Sequence, residues 1–167
     1  RAAGGRAPRG VVSPPAGLGL CGGAGGQGAW VVGAGTRTRL AREAADPRRL
    51  RLVGSRSHHD ELVEGIQRGL GIMDVEPCGS VGVKCSRVAE GRRDLYVHPV
   101  PWLKEWDTCA PEVVLREAGG SVTDCLGGPL AYNKPDPRQP HGIVATAPGV
   151  LDAVLAVVRP LYERAAA

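Results

Sequence analysis

Phenylalanine is absent from this 167-residue chain, and all aromatics together make up 4%. A core built without Phe must rest on Val, Leu, Ile and Ala, and with 43% apolar residues there is enough of them for one globular domain. No apolar run reaches the roughly 18 residues of a membrane span. The basic start, Arg1 to Arg9, lacks the apolar centre of a signal peptide. No Cys-x-x-Cys pair exists, and the five cysteines, at 21, 78, 85, 109 and 125, are odd in number. That argues against a zinc site or a disulfide framework and for free thiols in a reducing cytoplasm. No Gly-x-Ser-x-Gly elbow is present, so a serine hydrolase finds no support. Gly22 to Gly26 lacks the Lys-Ser/Thr ending of a phosphate loop and reads as a turn. Net charge is only +4, and no basic run is interleaved with aromatics. The balance suits a small anion and does not call for a nucleic acid polymer.

Apolar periodicity divides what is present. Gly10–Ser13, Gly17–Cys21 and Ala29–Val32 alternate with glycine turns and read as antiparallel strands. Residues 1–40 are therefore expected to form part of an antiparallel sheet with exposed apolar surface, and 41–49 a linker. Residues 50–167 then alternate strands with helices, as a layered α/β unit does. Strands are expected at Leu50–Val53, Ile72–Val75, Asp94–Val97, Ser121–Thr123 and Ile143–Thr146. Helices are expected at Asp60–Leu70, Val81–Glu90 and Val150–Val158, the last limited by Pro160. Another helix follows Trp106 and ends at Gly119-Gly120. Pro111 belongs in a first turn, so its start is expected at Asp107 or Thr108.

The segment Glu105-Trp106-Asp107-Thr108-Cys109-Ala110-Pro111 carries the most chemistry. A carboxylate at a helix start is ordinarily a cap. It also suits a hard divalent cation. Two other stretches matter. Gly79-Ser80 opens a helix whose free N–H groups favour a phosphate, and Lys84 lies one turn on. An isolated lysine there would simply be solvated. Ser55-Arg56-Ser57-His58-His59-Asp60-Glu61 is a polar loop between a strand and a helix, where α/β proteins place sites. Arg56 suits a bidentate grip on phosphate. Ser57 or Asp60 suits an N-cap.

Trp106-Asp107-x-x-Ala110, continued to Glu117-Ala118-Gly119-Gly120, resembles the C-terminal signature of the inositol monophosphatase superfamily, magnesium-dependent phosphatases. Gly79-Ser80-Val81-Gly82-Val83-Lys84, Asp94-Leu95-Tyr96 and Pro129 to Lys134 extend the likeness. Lys84 points to the branch acting on 3'(2'),5'-bisphosphate nucleotides. The resemblance implies an α/β/α sugar-phosphatase-like unit preceded by part of an antiparallel sheet. It makes Asp107 a ligand of Mg2+, with Trp106 packed to fix its direction. Ser80, Lys84, Arg56, His58 and His59 become substrate contacts; His98 lies near another basic position but is not counted. The implied chemistry is attack by metal-activated water on a nucleotide bisphosphate, such as adenosine 3',5'-bisphosphate, in the cytoplasm. The expected partners are that small molecule and a second copy of the chain, with no membrane and no nucleic acid polymer.

The family's Glu-Glu pair and Asp-Pro-[Ile/Leu]-Asp-Gly-Thr motif are absent, and the sole methionine is Met73. The chain reads as the C-terminal part of a longer enzyme and is expected to be inactive alone. The alternatives are an inositol monophosphatase proper and a non-catalytic phosphate-binding remnant.

Overall fold

A computed structural model describes residues 9–13, 18–23, 26, 28–33, 35–56 and 60–166; for 9–13, 18 and 20–23 it describes the backbone alone. Two sheets are present. The first is antiparallel, in the order β1 (Arg9–Ser13), β2 (Leu18–Gly23), β3 (Gly28–Gly33), β4 (Thr36–Leu40). The second has five strands in the order β6 (Asp74–Cys78), β5 (Arg51–Ser55), β7 (Leu95–His98), β9 (Ile143–Thr146), β8 (Ser121–Thr123). β5 runs parallel to β6 and β7, while β9 runs antiparallel to β7 and β8. The helices are α1 (Glu61–Gly69), α2 (Val81–Ala89), α3 (Glu105–Glu117) and α4 (Leu151–Ala166).

Side-chain alternation along the second sheet explains the layering. Val53, Tyr96, Ile143 and Ala145 face one way and pack with Cys85 and Val88 of α2 and Val114 and Leu115 of α3. Leu52, Leu95, Val97 and Val144 face the other way, onto Ile66 of α1 and Val154 and Val158 of α4. Both faces are covered, so these strands read as nearly continuous apolar runs. Ala29 of β3, with Val31 and Leu40 beside it, joins the first cluster. α2 and α3 are therefore held between the two sheets. In the absence of Phe, Tyr96 is the largest of the fully buried side chains.

Several expectations need correction. β4, Thr-Arg-Thr-Arg-Leu, was not anticipated: it has one apolar residue and is mostly exposed, so it carries no apolar alternation. Its place in the sheet comes from backbone pairing with β3. Gly22 and Gly23 continue β2 and are not part of a turn. β6 begins two residues later than Ile72, because Ile72 is buried while closing α1, its N–H bonded to the Gln67 carbonyl at 3.0 Å. Pro77 is tolerated because β6 is an edge strand.

Two prolines lie inside helices. α3 starts at Glu105, so Pro111 sits in its second turn and has no N–H for the Asp107 carbonyl. Its ring is buried, and that burial offsets part of the loss. α4 continues through Pro160 to Ala166. Pro160 and Ala156 are both exposed, so water can reach the carbonyl that lost its donor. Val32 of β3 is 39% exposed; the remaining apolar surface expected of the first sheet falls on β1 and β2 side chains outside the description. Among the described residues, no helix is long and apolar enough to cross a membrane.

Candidate anion and metal site

The three parallel strands end at one edge of the second sheet, the usual place for a site in such a fold. The register pairs Ser55 with Cys78. Arg56 thus leaves β5 beside Gly79, which leaves β6. A Cβ on Gly79 would lie 3.2 Å from Nη2 of Arg56, so the bare glycine admits the guanidinium. Ser80 follows as N-cap of α2 at φ 56, ψ 132, a conformation rarely adopted by L residues, at a cost of roughly 1–3 kcal/mol. Its side chain makes no cap bond. The first N–H groups of α2 are thus free of a side-chain acceptor.

Lys84 is not a solvated helix lysine. It is only 6% exposed. Helical side chains lean toward the N-terminus, which carries Lys84 back over the entrance of α2. Its Nζ lies 4.9 Å from the centre of the Tyr96 ring. Burial pulls its pKa below the ordinary lysine value. Among the described residues no carboxylate forms an ion pair with it. Burial pushes the Cys85 thiol up to about 12, so it stays protonated beside the lysine. Among the described residues, no disulfide includes Cys78, Cys85, Cys109 or Cys125.

Asp107 is the third residue of α3 and half-buried. Its Oδ2 accepts the Lys104 N–H at 2.9 Å, the acidic half of a capping box. The other half is missing, because the Lys104 ammonium has no lone pair to offer. Among the described residues, the other carboxylate oxygen has no hydrogen bond, which leaves it able to serve as one hard oxygen ligand. No group of three or more metal-ligating side chains occurs among the described residues. Trp106 does not fix the aspartate. It is 64% exposed, with Lys104 Nζ 5.1 Å from its ring, and the backbone of Lys104 holds Asp107 instead.

Arg56 and Ser80 thus flank Gly79 at the entrance of α2, and Lys84, one turn on, packs over the Tyr96 ring. Burial raises the Tyr96 pKa, and the negative charge of Asp107 adds to the rise. Among the described residues the buried Tyr96 hydroxyl has no hydrogen-bond partner. His58 and His59 lie outside the described residues. Asp60 is the N-cap of α1, its Oδ1 accepting from Leu62 N at 2.9 Å.

Sequence reasoning gave no supporting role to Glu105, Tyr132 and Gln139, which brace α3. Glu105 accepts the N–H groups of Asn133 and Lys134 at 2.7 and 3.0 Å and pairs with Lys134 Nζ at 3.2 Å. Tyr132 donates to Glu112, while Gln139 reaches Thr108 at 3.3 Å. These bonds fasten the loop after β8 to the helix that carries Asp107. Their partners lie twenty or more residues apart, so no local pattern announces them. A surface cavity of about 650 Å³ lined by Pro101, Lys134, Pro135, Asp136, Arg138 and Pro140 contains none of the expected site residues.

Comparison with known proteins bears on family and fold. The model of the inositol monophosphatase family matches residues 2–161. The chain is 40% identical over 83 residues to 3'(2'),5'-bisphosphate nucleotidase 1 of Rattus norvegicus, covering 50% of this chain and 27% of that protein. It is 32% identical over 117 residues to the 3'-phosphoadenosine 5'-phosphate phosphatase of Mycobacterium leprae, covering 70% of this chain and 42% of that one. Among solved structures, Mycobacterium tuberculosis SuhB superposes with a TM-score of 0.65 at 24% identity, over 86% of this chain and 54% of that chain. Staphylococcal IMPase-II does so with 0.69 at 18%, over 88% and 54%. The matched segments thus span from about a quarter to about half of these relatives' lengths. With its layered fold and the family model matching nearly its whole length, the chain belongs to the inositol monophosphatase family.

Proposed function

We propose that this chain forms the C-terminal part of a magnesium-dependent phosphatase of 3'(2'),5'-bisphosphate nucleotides, converting adenosine 3',5'-bisphosphate to AMP and phosphate. The observation that carries this reading is Lys84, a buried cation with no carboxylate partner among the described residues, one turn into a helix whose entrance has no side-chain cap and lies beside Arg56. A bisphosphate nucleotide brings a second phosphate that an inositol monophosphate lacks, and this cradle suits it. Ser80 and the α2 N–H groups would bind its oxygens, Lys84 would offset its charge, and Arg56 would clamp it. His58 and His59 belong to the same substrate loop in this reading.

Asp107 would supply one magnesium ligand. The absent Glu-Glu and Asp-Pro-x-Asp-Gly-Thr groups would supply the others. Magnesium, when bound, activates water and offsets charge on the phosphate. Residues 1–40 are then part of a larger sheet, 41–49 the linker and 50–167 the α/β unit, in an enzyme of the cytoplasm. A lone carboxylate holds magnesium poorly, so the isolated chain should release no phosphate.

Titrating the chain with adenosine 3',5'-bisphosphate and with myo-inositol 1-phosphate tests the substrate class. The bisphosphate should bind at least about tenfold more tightly, the worth of one charge-assisted hydrogen bond. Equal affinity would favour the inositol monophosphatase reading. Binding of neither would remove the cradle.

A further inference from the structure

The cradle leaves one fact unexplained. A buried ammonium without a counter-charge is costly, and proteins ordinarily pair it. Around Lys84 lie two thiols, Cys78 and Cys85, and one aromatic ring. The ring belongs to Tyr96, itself 1% exposed and fixed in the centre of β7 opposite Ala145. The Tyr96 hydroxyl is buried with no hydrogen-bond partner among the described residues. What remains is the face of the ring, in reach of a cation.

We propose that Tyr96 is a positioning residue for Lys84: its ring, in place of a carboxylate, carries the buried ammonium over the α2 entrance and leaves the positive charge uncancelled for a phosphate. A carboxylate at that spot would hold Lys84 equally well but would neutralise it and repel the incoming anion. A ring attracts the cation through its quadrupole and carries no net charge. The chain contains no Phe, so Tyr provides the ring and the hydroxyl is incidental. This inference rests on the phosphate cradle described above, and its test separates the two.

The chain has only three lysines, Lys84, Lys104 and Lys134, so their side-chain resonances can be assigned in lysine-labelled protein. Lys104 lies near the Trp106 ring, which makes Lys134 the reference. In the unmodified chain the Lys84 Hε signals should lie upfield of those of Lys134. Coincident signals would overturn the proposal without any variant. Titration with adenosine 3',5'-bisphosphate then reads function. Tyr96→Phe should bind within about twofold of the parent, and Tyr96→Leu about fivefold to tenfold more weakly, the range of a desolvated cation–π contact. In Tyr96→Leu the Lys84 signals should also move to the Lys134 position. Parent-like binding by a folded Tyr96→Leu, with binding lost in Lys84→Met, would leave the cradle standing and sink the positioning role. Parent-like binding by Lys84→Met would sink the cradle itself. Equal losses in Tyr96→Phe and Tyr96→Leu would assign the effect to the hydroxyl and contradict the proposal. Should Tyr96→Leu fail to fold, the parent spectrum and Tyr96→Phe still decide.

Discussion

Asp94, at the head of β7, and Lys84, one turn into α2, are both more than nine-tenths buried, but their surroundings differ. Asp94 accepts from Arg51 Nε at 2.8 Å, Arg51 N at 2.9 Å and Arg51 Nη2 at 3.0 Å, and from Arg42 Nη2 as well. Burial pulls its pKa up, but the Arg51 hydrogen bonds and the charges of both arginines outweigh that and hold it below the usual carboxylate range. The cluster ties the 41–49 segment, β5 and β7 together. Lys84 has a ring and two thiols, and no carboxylate among the described residues. A charge that serves the fold is saturated within the chain. In the proposed reading Lys84 serves a ligand: its charge is left to be completed from outside, and the fold bears the cost.

The comparison is broken most forcefully at Asp94. Asp94→Asn should destabilise the chain by about 3 kcal/mol or more, because it leaves Arg42 and Arg51 facing a neutral group. Denaturant unfolding measures this, and a loss under about 1 kcal/mol would mean the cluster is not a structural clamp. The acid limb should change too. Because its folded pKa is depressed, Asp94 contributes stability above the unfolded value of about 3.9. That stability is lost as pH falls through the lower folded value. The acid-unfolding curve of Asp94→Asn should lack this component.

Lys84→Met should do the reverse and raise the melting temperature, since it replaces an uncompensated buried cation with an apolar chain of similar length. The sign follows from its lowered folded pKa. The unfolded chain holds the proton more tightly, so the charge costs stability at neutral pH. That cost is relieved as pH rises toward the ordinary lysine value of about 10.4. The stability difference between Lys84→Met and the parent should shrink across that alkaline window. A difference that does not change with pH would contradict the account.

Ser80→Gly sharpens the comparison at the cradle's lip. Glycine adopts φ 56 without strain, so stability should rise by about 1 kcal/mol. Phosphate affinity should fall modestly through the lost hydroxyl. An unchanged affinity would confine the role of Ser80 to its backbone. Tyr96→Phe should have the smallest effect, neutral or slightly stabilising, because the hydroxyl it removes has no partner among the described residues.

Much of this was legible in the sequence where the signal is local. β9, α1 with its Asp60 cap, and the Gly119 stop of α3 at φ 101 follow from apolar spacing and turn chemistry. Gly79-Ser80 and Lys84 could be placed on α2 because one turn separates them. The burial of Lys84 could not, since it depends on Tyr96, twelve residues on and in a different layer. Arg42 and Arg51 reach Asp94 across 52 and 43 residues, beyond any periodicity. Pro111 and Pro160 were misplaced because the proline rule describes a cost and not a prohibition. Burial of one ring and hydration of the other position meet that cost. The resemblance implies a packed Trp106 that directs Asp107, and 64% of it faces solvent.

The most direct test of the central claim is a paired measurement of Lys84→Met: its melting temperature, and its affinity for adenosine 3',5'-bisphosphate by isothermal titration. The account predicts a more stable chain that binds at least about tenfold more weakly. A variant that binds like the parent, or is less stable than it, would show that Lys84 is an ordinary packing residue and that the cradle at the α2 entrance is not an anion site.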